Sequence, residues 1–481
     1  MVDVAVIGGG IAGLAAAFEL SRRGISFVVL EAAARPGGVI LSEEIDGFTI
    51  DGGPDALLIQ KPDAIQLCKD IGIGDRLVPT TPPRLAFIQR GGTLHPLPAG
   101  SVLGIPTTPG PFVRTRLFSL AGKLRMAAEL FVSAKTDDAD ESIGAFMTRR
   151  FGREATEYLA EPLLAGIHAG DVDRLSLKSL FPRFVDAERK YGSLIMAFRQ
   201  QSTIANQSAI ANQSAIRKPQ SAMSGSEGAF KSLPGGLSEM VCVLVKQLGT
   251  RHVRLNVRAT ELAGKGPFVV HTESGELIDT RAVVIATPAF VAGALLRSRD
   301  EALASLCESV PYASVATVAL AFTREAIRHP LNGSGFVVPR AEKTGILAGS
   351  WLSSKWPNRA PAGHALLRTF IGGARDPQAA DADDRALVTR SMNALRPLLG
   401  IAGEPLFTRI YRWQRANAQH EVGHAARMTA IDERLARHPG LFVTGSGFRG
   451  VGIPDCVADG RKTAGNAAAF LEDKRDNLLP L

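Results

Sequence analysis

Gly8-x-Gly10-x-x-Gly13 is the first part of this chain that could do chemistry. The first glycine permits a tight turn, the second lets a pyrophosphate reach the backbone, and the third lets a helix pack closely on a strand. A helix starting among Gly9, Ile11 and Ala12 would turn unpaired N–H groups and its positive dipole end toward phosphates. Alone, the motif is weak evidence. Glu31 stands 18 residues beyond Gly13, where it can accept hydrogen bonds from an adenosine ribose and would repel a 2′-phosphate, which disfavours NADP. Arg35 could neutralise a pyrophosphate while Gly37 and Gly38 bring more backbone close. Asp51-Gly52-Gly53-Pro54 is another backbone-rich turn, with an ordinary turn as the alternative, and Gly450 to Pro454 stands before a helix expected from about Asp455 to Leu471.

These residues need a scaffold. Val2 to Ile7 reads as a buried strand, Ala12 to Arg23 as a helix and Ser26 to Glu31 as a second strand, so the opening is a βαβ unit whose strands are parallel. Arg281 to Ala286 and Gly440 to Thr444 read as buried strands from distant parts of the chain. Residues 79–111 read as loops around short strands, and 111–200 as mainly helical. Val310 to Phe322 and Leu366 to Ile371 suit a second, antiparallel sheet. The fold expected is α/β with an α+β part, in domains discontinuous in sequence. Residues 199–228 carry ANQSAI twice in tandem amid Ser, Gln and Asn, and read as a flexible surface insertion without a chemical role.

Composition narrows the class. The chain has 481 residues and a formal charge of +8, which favours anionic partners without naming one. Cys68, Cys242, Cys307 and Cys456 are scattered, which argues against a disulfide framework or a zinc site and suggests a reducing compartment. The apolar stretch Val4 to Phe18 is too short for a bilayer span, which needs roughly 20 residues, and lacks the basic leader of a secretory signal. No metal site and no nucleic-acid reader motif is visible.

Glu31 to Gly38 resembles the ExxxRxGG extension of FAD-containing oxidases. With EPLLAGIHAGDVDRLSLKSLFPRFVDAERKYGSLI (Glu161 to Ile195) and GVGIPDCVADG (Gly450 to Gly460), the chain resembles the oxygen-dependent protoporphyrinogen oxidase family, which includes the coproporphyrinogen III oxidases of haem synthesis. The resemblance runs nearly end to end. It implies a Rossmann-type FAD-binding domain of the p-hydroxybenzoate hydroxylase kind (1–78, 229–295 and 421–481), an antiparallel-sheet substrate domain (79–110 and 296–420) and a helical membrane-associated domain (111–198). FAD contacts would fall on Gly8 to Gly13, Glu31, Ala32, Arg35, Gly37, Gly38, Gly52, Gly53, Pro54, Asp55, Val257, Trp413, Val451, Gly452 and Ile453. Val257 has an ordinary strand residue as its alternative, and Trp413 a core aromatic. A helix aimed at the flavin N1–C2=O edge would stabilise the anion formed when hydride arrives.

On the substrate side the resemblance places a propionate on Arg84, pyrrole N–H groups against the Gly166 carbonyl, and the rings between Val337, Ser350 and Phe370. A solvated arginine and core packing are the plainer readings of Arg84, Val337 and Phe370. A meso methylene between pyrroles is a good hydride donor, so no acid/base residue is assigned and orientation is the protein's main contribution. Ala418 and His420 stand where the family usually shows PQY. His420 could titrate near neutrality, with a structural role the plainer reading. Residues 111–135 combine Arg114, Arg116, Lys123, Arg125 and Lys135 with Leu117, Leu120, Leu124, Ala127, Ala128 and Phe131 at helical spacing. That pattern suits either attachment to an anionic membrane or packing on the protein's own core. The implied partners are a porphyrinogen, molecular oxygen, a membrane surface, a ferrochelatase and a second copy of the chain, with a cytoplasmic location, peripheral on the inner face of the cell membrane. A flavin amine oxidase, a carotenoid desaturase or a non-catalytic flavoprotein scaffold are the rival readings.

Overall fold

The computed structural model describes residues 1–98, 101–102, 104–200 and 228–476, so the ANQSAI repeats lie outside the described residues. Near the start, β1 (Val2–Ile7), α1 (Ile11–Arg22) and β2 (Phe27–Leu30) form the expected parallel unit. The apolar runs are continuous because both sheet faces are covered: Val4, Ala5, Val6 and Val29 have no exposed surface. β1 lies between β2 and Leu277–Ile285, parallel to both, with Val6 opposite Val29 and Val284. Leu441–Val443 pairs parallel with Leu277–Ile285, and Phe268–Thr272 and Ala259–Ala263 extend the sheet antiparallel.

The C-terminal helix runs Ile453–Asp476, beginning two residues before the expected start. It lies against α1 so closely that a Cβ on Gly460 would stand 2.3 Å from the Ala12 carbonyl oxygen. Only a glycine there permits the approach.

The second sheet has seven strands in the order Phe407–Ala418, Tyr312–Thr323, His364–Gly372, Ala348–Trp351, Gly335–Val337, Ala86–Arg90 and Thr93–Pro96. Alternation along it divides two surfaces. Val318, Leu320, Phe322, Leu367, Ile371, Phe336 and Trp351 pack with Leu387 and Leu395 of helix Asp384–Leu399. The opposite face carries Thr317 and Phe370, which are direct neighbours in the pairing, and is tied to the turn after Phe48–Asp51 by a hydrogen bond from the Thr317 hydroxyl to the Gly52 carbonyl at 2.7 Å.

The helical part gathers Phe146, Phe151, Leu159 and Phe184 into one core. Within it, Thr156–Ala165 is a π-helical stretch containing Pro162. A proline has no N–H for the ordinary ladder, and wide turns of this kind occur where that ladder is disturbed.

Residues 111–135 do not form one amphipathic helix. Pro109–Arg114 and Leu120–Ala127 are separate helices, followed by a 3-10 turn at Ala128–Phe131. Leu117 and Phe118, in the break, are buried, whereas Leu120, Leu124 and Phe131 face outward, Phe131 being 89% exposed. The stripe read as one surface is therefore split, and packing on the protein's own core does not account for those three side chains.

Candidate functional site

The glycine turn is held from beneath. Gly8 has φ +109°, and a Cβ there would meet the Ala286 carbonyl oxygen at 2.7 Å. Gly10 precedes α1 without a side-chain cap, leaving the first-turn N–H groups for a ligand. A Cβ on Gly10 would meet nothing within 4 Å, so this position opens onto space. The Glu31 carboxylate accepts from the Gly9 N–H at 2.7 Å and the Ala33 N–H at 2.8 Å, which fixes it beside the turn while Ala32 stays exposed. Gly37 donates to the Gly9 carbonyl at 2.8 Å, and Gly38 lies against the Gly10 Cα. This cradle of backbone around an acidic residue fits a dinucleotide with an unmodified ribose.

Arg35 is half-buried. Its guanidinium donates to the carbonyls of Pro36, Gly38 and Ile40, so it holds the loop together, and it also stands 5.9 Å from the Trp413 ring. The Val257 N–H donates to the Glu31 carbonyl at 2.9 Å, which places this residue beside Glu31, outside any strand.

The Asp51–Asp55 turn, which follows the two-stranded hairpin of Ser42–Ile45 and Phe48–Asp51, links the second sheet to the Gly37–Val39 loop of the cradle. Gly52 receives the Trp413 indole N–H at 2.9 Å in addition to Thr317, and a Cβ on Gly53 would stand 1.9 Å from the Val39 carbonyl oxygen. Arg368, 2% exposed, donates to the Asp51 and Gly53 carbonyls and pairs with Asp55 at 3.3 Å. Although burial opposes charge on Asp55, Lys355 and Arg368 hold its carboxyl well below the usual carboxylate range. On Asp51 the same burial prevails, raising it even though Arg359 lies 2.9 Å away. Pro54 sits half-buried between the two acids.

At the C-terminal helix, Asp455 accepts from the Gly452 N–H at 3.2 Å and pairs with Lys61 at 2.7 Å, which fixes Val451, Gly452 and Ile453 at the helix start. Burial pushes the Cys456 thiol up to about 12, so it holds no thiolate near neutrality.

Arg84, Gly166, Val337, Ser350 and Phe370 are all half-buried. Three of them share a surface: Val337 is paired with Ala348, Ala348 with Phe370, and Ser350 stands two residues along on the same strand face. This is the face that carries Thr317. Gly166 is brought to its end because the Ala374 N–H donates to the Ala169 carbonyl at 2.8 Å and Arg375 pairs with Glu161, Asp171 and Asp173. The Gly166 carbonyl accepts from the Ala169 N–H at 3.0 Å, which leaves one lone pair for another donor. Arg84, just before the strand Ala86–Arg90, donates to the carbonyl and hydroxyl of Thr80.

His420 takes the structural role that is its plainer reading. It is 2% exposed and stacked on His424 with ring centres 3.7 Å apart, and burial pulls it down to about 3, so it does not titrate near neutrality. His168 lies near Lys61 and Asp455 and is pulled down to about 4, again chiefly by burial. Thr317, Lys355, Arg368 and Arg375 were not foreseen. Each acts through partners far along the chain, and no local motif marks it.

The family model for flavin containing amine oxidoreductases matches residues 11–468. The coproporphyrinogen III oxidase of Bacillus subtilis (strain 168) is 37% identical, covering 97% of this chain and 98% of its own. Protoporphyrinogen oxidase 2 of Arabidopsis thaliana is 28% identical over 99% of this chain and 96% of its own. A crystal structure from Exiguobacterium sp. 255-15 superposes with a TM-score of 0.84 at 31% identity, covering 98% of this chain and 99% of that one. Cradle, linking turn and full-length likeness agree, and the chain belongs to the flavin containing amine oxidoreductase family, among its porphyrinogen oxidases.

Proposed function

We propose that this chain oxidises a porphyrinogen, coproporphyrinogen III, to the porphyrin with FAD as its cofactor and molecular oxygen as the final acceptor. The observation that carries the reading is the Gly52–Gly53 turn. Thr317 and Trp413 hold it from the sheet whose same face bears Val337, Ser350 and Phe370, which supports a substrate wall beside the cofactor cradle. Coproporphyrinogen III is chosen over protoporphyrinogen IX because the relative named for it is nearer in sequence than the one named for the latter.

FAD supplies the hydride acceptor that oxygen restores, over three rounds for the six electrons. The residues here bind and orient. Gly8 to Gly13 with Gly37 and Gly38 would take the pyrophosphate, Glu31 the ribose, and Gly52 to Asp55, Trp413 and Val451 to Ile453 the ring system. Val337 and Phe370 hold the tetrapyrrole by apolar contact, Arg84 meets a propionate, and the Gly166 carbonyl takes a pyrrole N–H. The buried imidazoles of His168 and His420 stay neutral at pH 7, so neither is assigned as an acid or base. Mixing the purified flavoprotein with coproporphyrinogen III without oxygen should bleach the flavin band in proportion to substrate. In air, porphyrin fluorescence should rise faster from coproporphyrinogen III than from protoporphyrinogen IX. Failure to bleach with either would overturn the reading, and a faster protoporphyrinogen reaction would reverse the choice of substrate.

The three-part division at 1–78 with 229–295 and 421–481, at 79–110 with 296–420, and at 111–198 belongs to this proposal, supported by separate apolar cores in the first sheet, the second sheet and the helical part. So does attachment to an anionic membrane. No helix among the described residues is long and apolar enough to cross a bilayer, and Val113, Leu120, Leu124 and Phe131 are exposed beside Arg114 and Arg116. Co-sedimentation with phosphatidylglycerol vesicles should fall at least about tenfold in L124E/F131E, since burying two carboxylates in the lipid boundary is unfavourable. Unchanged sedimentation would remove this face as the contact.

A further inference from the structure

Arg368 is a buried cation with two jobs that no local motif announces. One side of its guanidinium serves the turn assigned to the cofactor, through the Asp51 and Gly53 carbonyls and the Asp55 carboxylate. On another side its central carbon stands 4.7 Å from the centre of the Phe370 ring, the side chain assigned to the substrate wall. The two residues are i and i+2 on the strand His364–Gly372 and therefore share a face. A guanidinium suits both tasks, because one terminal nitrogen donates to both carbonyls, the other faces the Asp55 carboxylate, and the plane stacks on an aromatic ring. Arg368 Nε is buried without a hydrogen-bond partner, so the group is positioned by the turn and the ring. Lys355 also pairs with Asp55, at 2.8 Å, but stacks on Phe230 and Trp356, so it touches the turn without touching Phe370.

We propose that Arg368 is a positioning residue that couples the two sites: a tetrapyrrole packed on Phe370 steadies the guanidinium over the turn, and the seated flavin steadies the guanidinium under the ring. The inference rests on the site assignments proposed above. Its content is thermodynamic. Whatever ordering one ligand brings to Arg368 need not be repeated by the other, so each should tighten the other by the same factor.

The test measures FAD release from the holoenzyme, followed by recovery of flavin fluorescence on dilution, with and without saturating coproporphyrin III, the oxidised product. Porphyrin binding is measured separately by its own fluorescence. In the unaltered protein, porphyrin should raise FAD affinity at least about fivefold, the lower end of ordinary coupling. R368K keeps the charge but lacks the second nitrogen that faces Asp55 and the plane that stacks on the ring, and F370L removes the ring while leaving the turn bonds. Both should bring the factor close to one while each ligand still binds. K355M should weaken FAD yet keep the factor, which separates coupling from general loosening of the turn. R368Q is the harsher variant, and the inference does not depend on its folding. A factor of one in the unaltered protein, or an unchanged factor in both R368K and F370L, overturns the proposal. Absence of any porphyrin binding would instead strike at the substrate assignment on which it rests.

Discussion

Replacing Arg150 by methionine should destabilise the helical part by about 3–5 kcal/mol, the usual consequence of leaving a buried charge without its partner. Arg150 and Glu129 are both fully buried. The guanidinium donates to both Glu129 and Glu188, and also to the Val132 carbonyl at 3.0 Å and the Gly192 carbonyl at 2.7 Å. Glu188 keeps a second cation, since Arg149 lies 2.7 Å away, but Glu129 would retain only the Ser193 hydroxyl and the Leu194 N–H. Changing Glu129 to glutamine as well should recover a large share of the loss, because the amide oxygen still accepts from the Leu194 N–H and the amide NH2 can donate to the Ser193 hydroxyl oxygen, with no stranded charge. A urea titration followed by helical circular dichroism would check both variants. If R150M/E129Q proved no more stable than R150M, the stranded carboxylate would not be the cause.

The pair also shows what the sequence conveys. Nothing local marks Glu129, at the edge of what reads as an amphipathic stripe, as a buried acid, because its partner is 21 residues away and its burial is decided by the segments at 143–151 and 188–194. The same limit hid Arg368, whose carbonyl partners lie more than 300 residues upstream. By contrast, β1, α1 and β2 were legible to within a residue or two, since turn glycines and a continuous apolar run are local signals. The strand Leu441–Val443 and the later part of Leu277–Ile285, expected only from Arg281, were legible for the same reason. Periodicity misled at 111–135 because helical spacing says which side chains share a face, not whether anything covers it, and the break at Thr115 to Phe118 carries no proline or glycine. His420 looked titratable because a sequence does not reveal that its ring lies on another imidazole. Val337, Ser350 and Phe370 entered through resemblance, and their common face depends on register between strands, which a single sequence does not supply.

Two alanine substitutions in the glycine turn should separate the fold from the cofactor more sharply than any change at the substrate wall. In G13A the new Cβ would stand 2.0 Å from the Gly8 carbonyl oxygen and 3.1 Å from the Ala286 Cβ. The first contact is with backbone, so α1 must move away from β1, and the protein should lose at least about 1–3 kcal/mol through overpacking and emerge without flavin. Gly10 differs. Its φ is −68°, open to any residue, and an added Cβ meets no protein atom within 4 Å. G10A should therefore fold with the thermal midpoint of the unaltered protein stripped of flavin, while its flavin occupancy after desalting falls at least about tenfold, equivalent to roughly 1.4 kcal/mol. The methyl group would occupy the space through which a pyrophosphate approaches the N-terminus of α1. Absorbance at the flavin band and a thermal melt on the same two samples give the answer. If G10A retained the full yellow colour, the turn would not be the phosphate cradle, whatever its sequence resembles. If G13A retained both colour and stability, the close seating of α1 on β1 would not be what holds that cradle in shape.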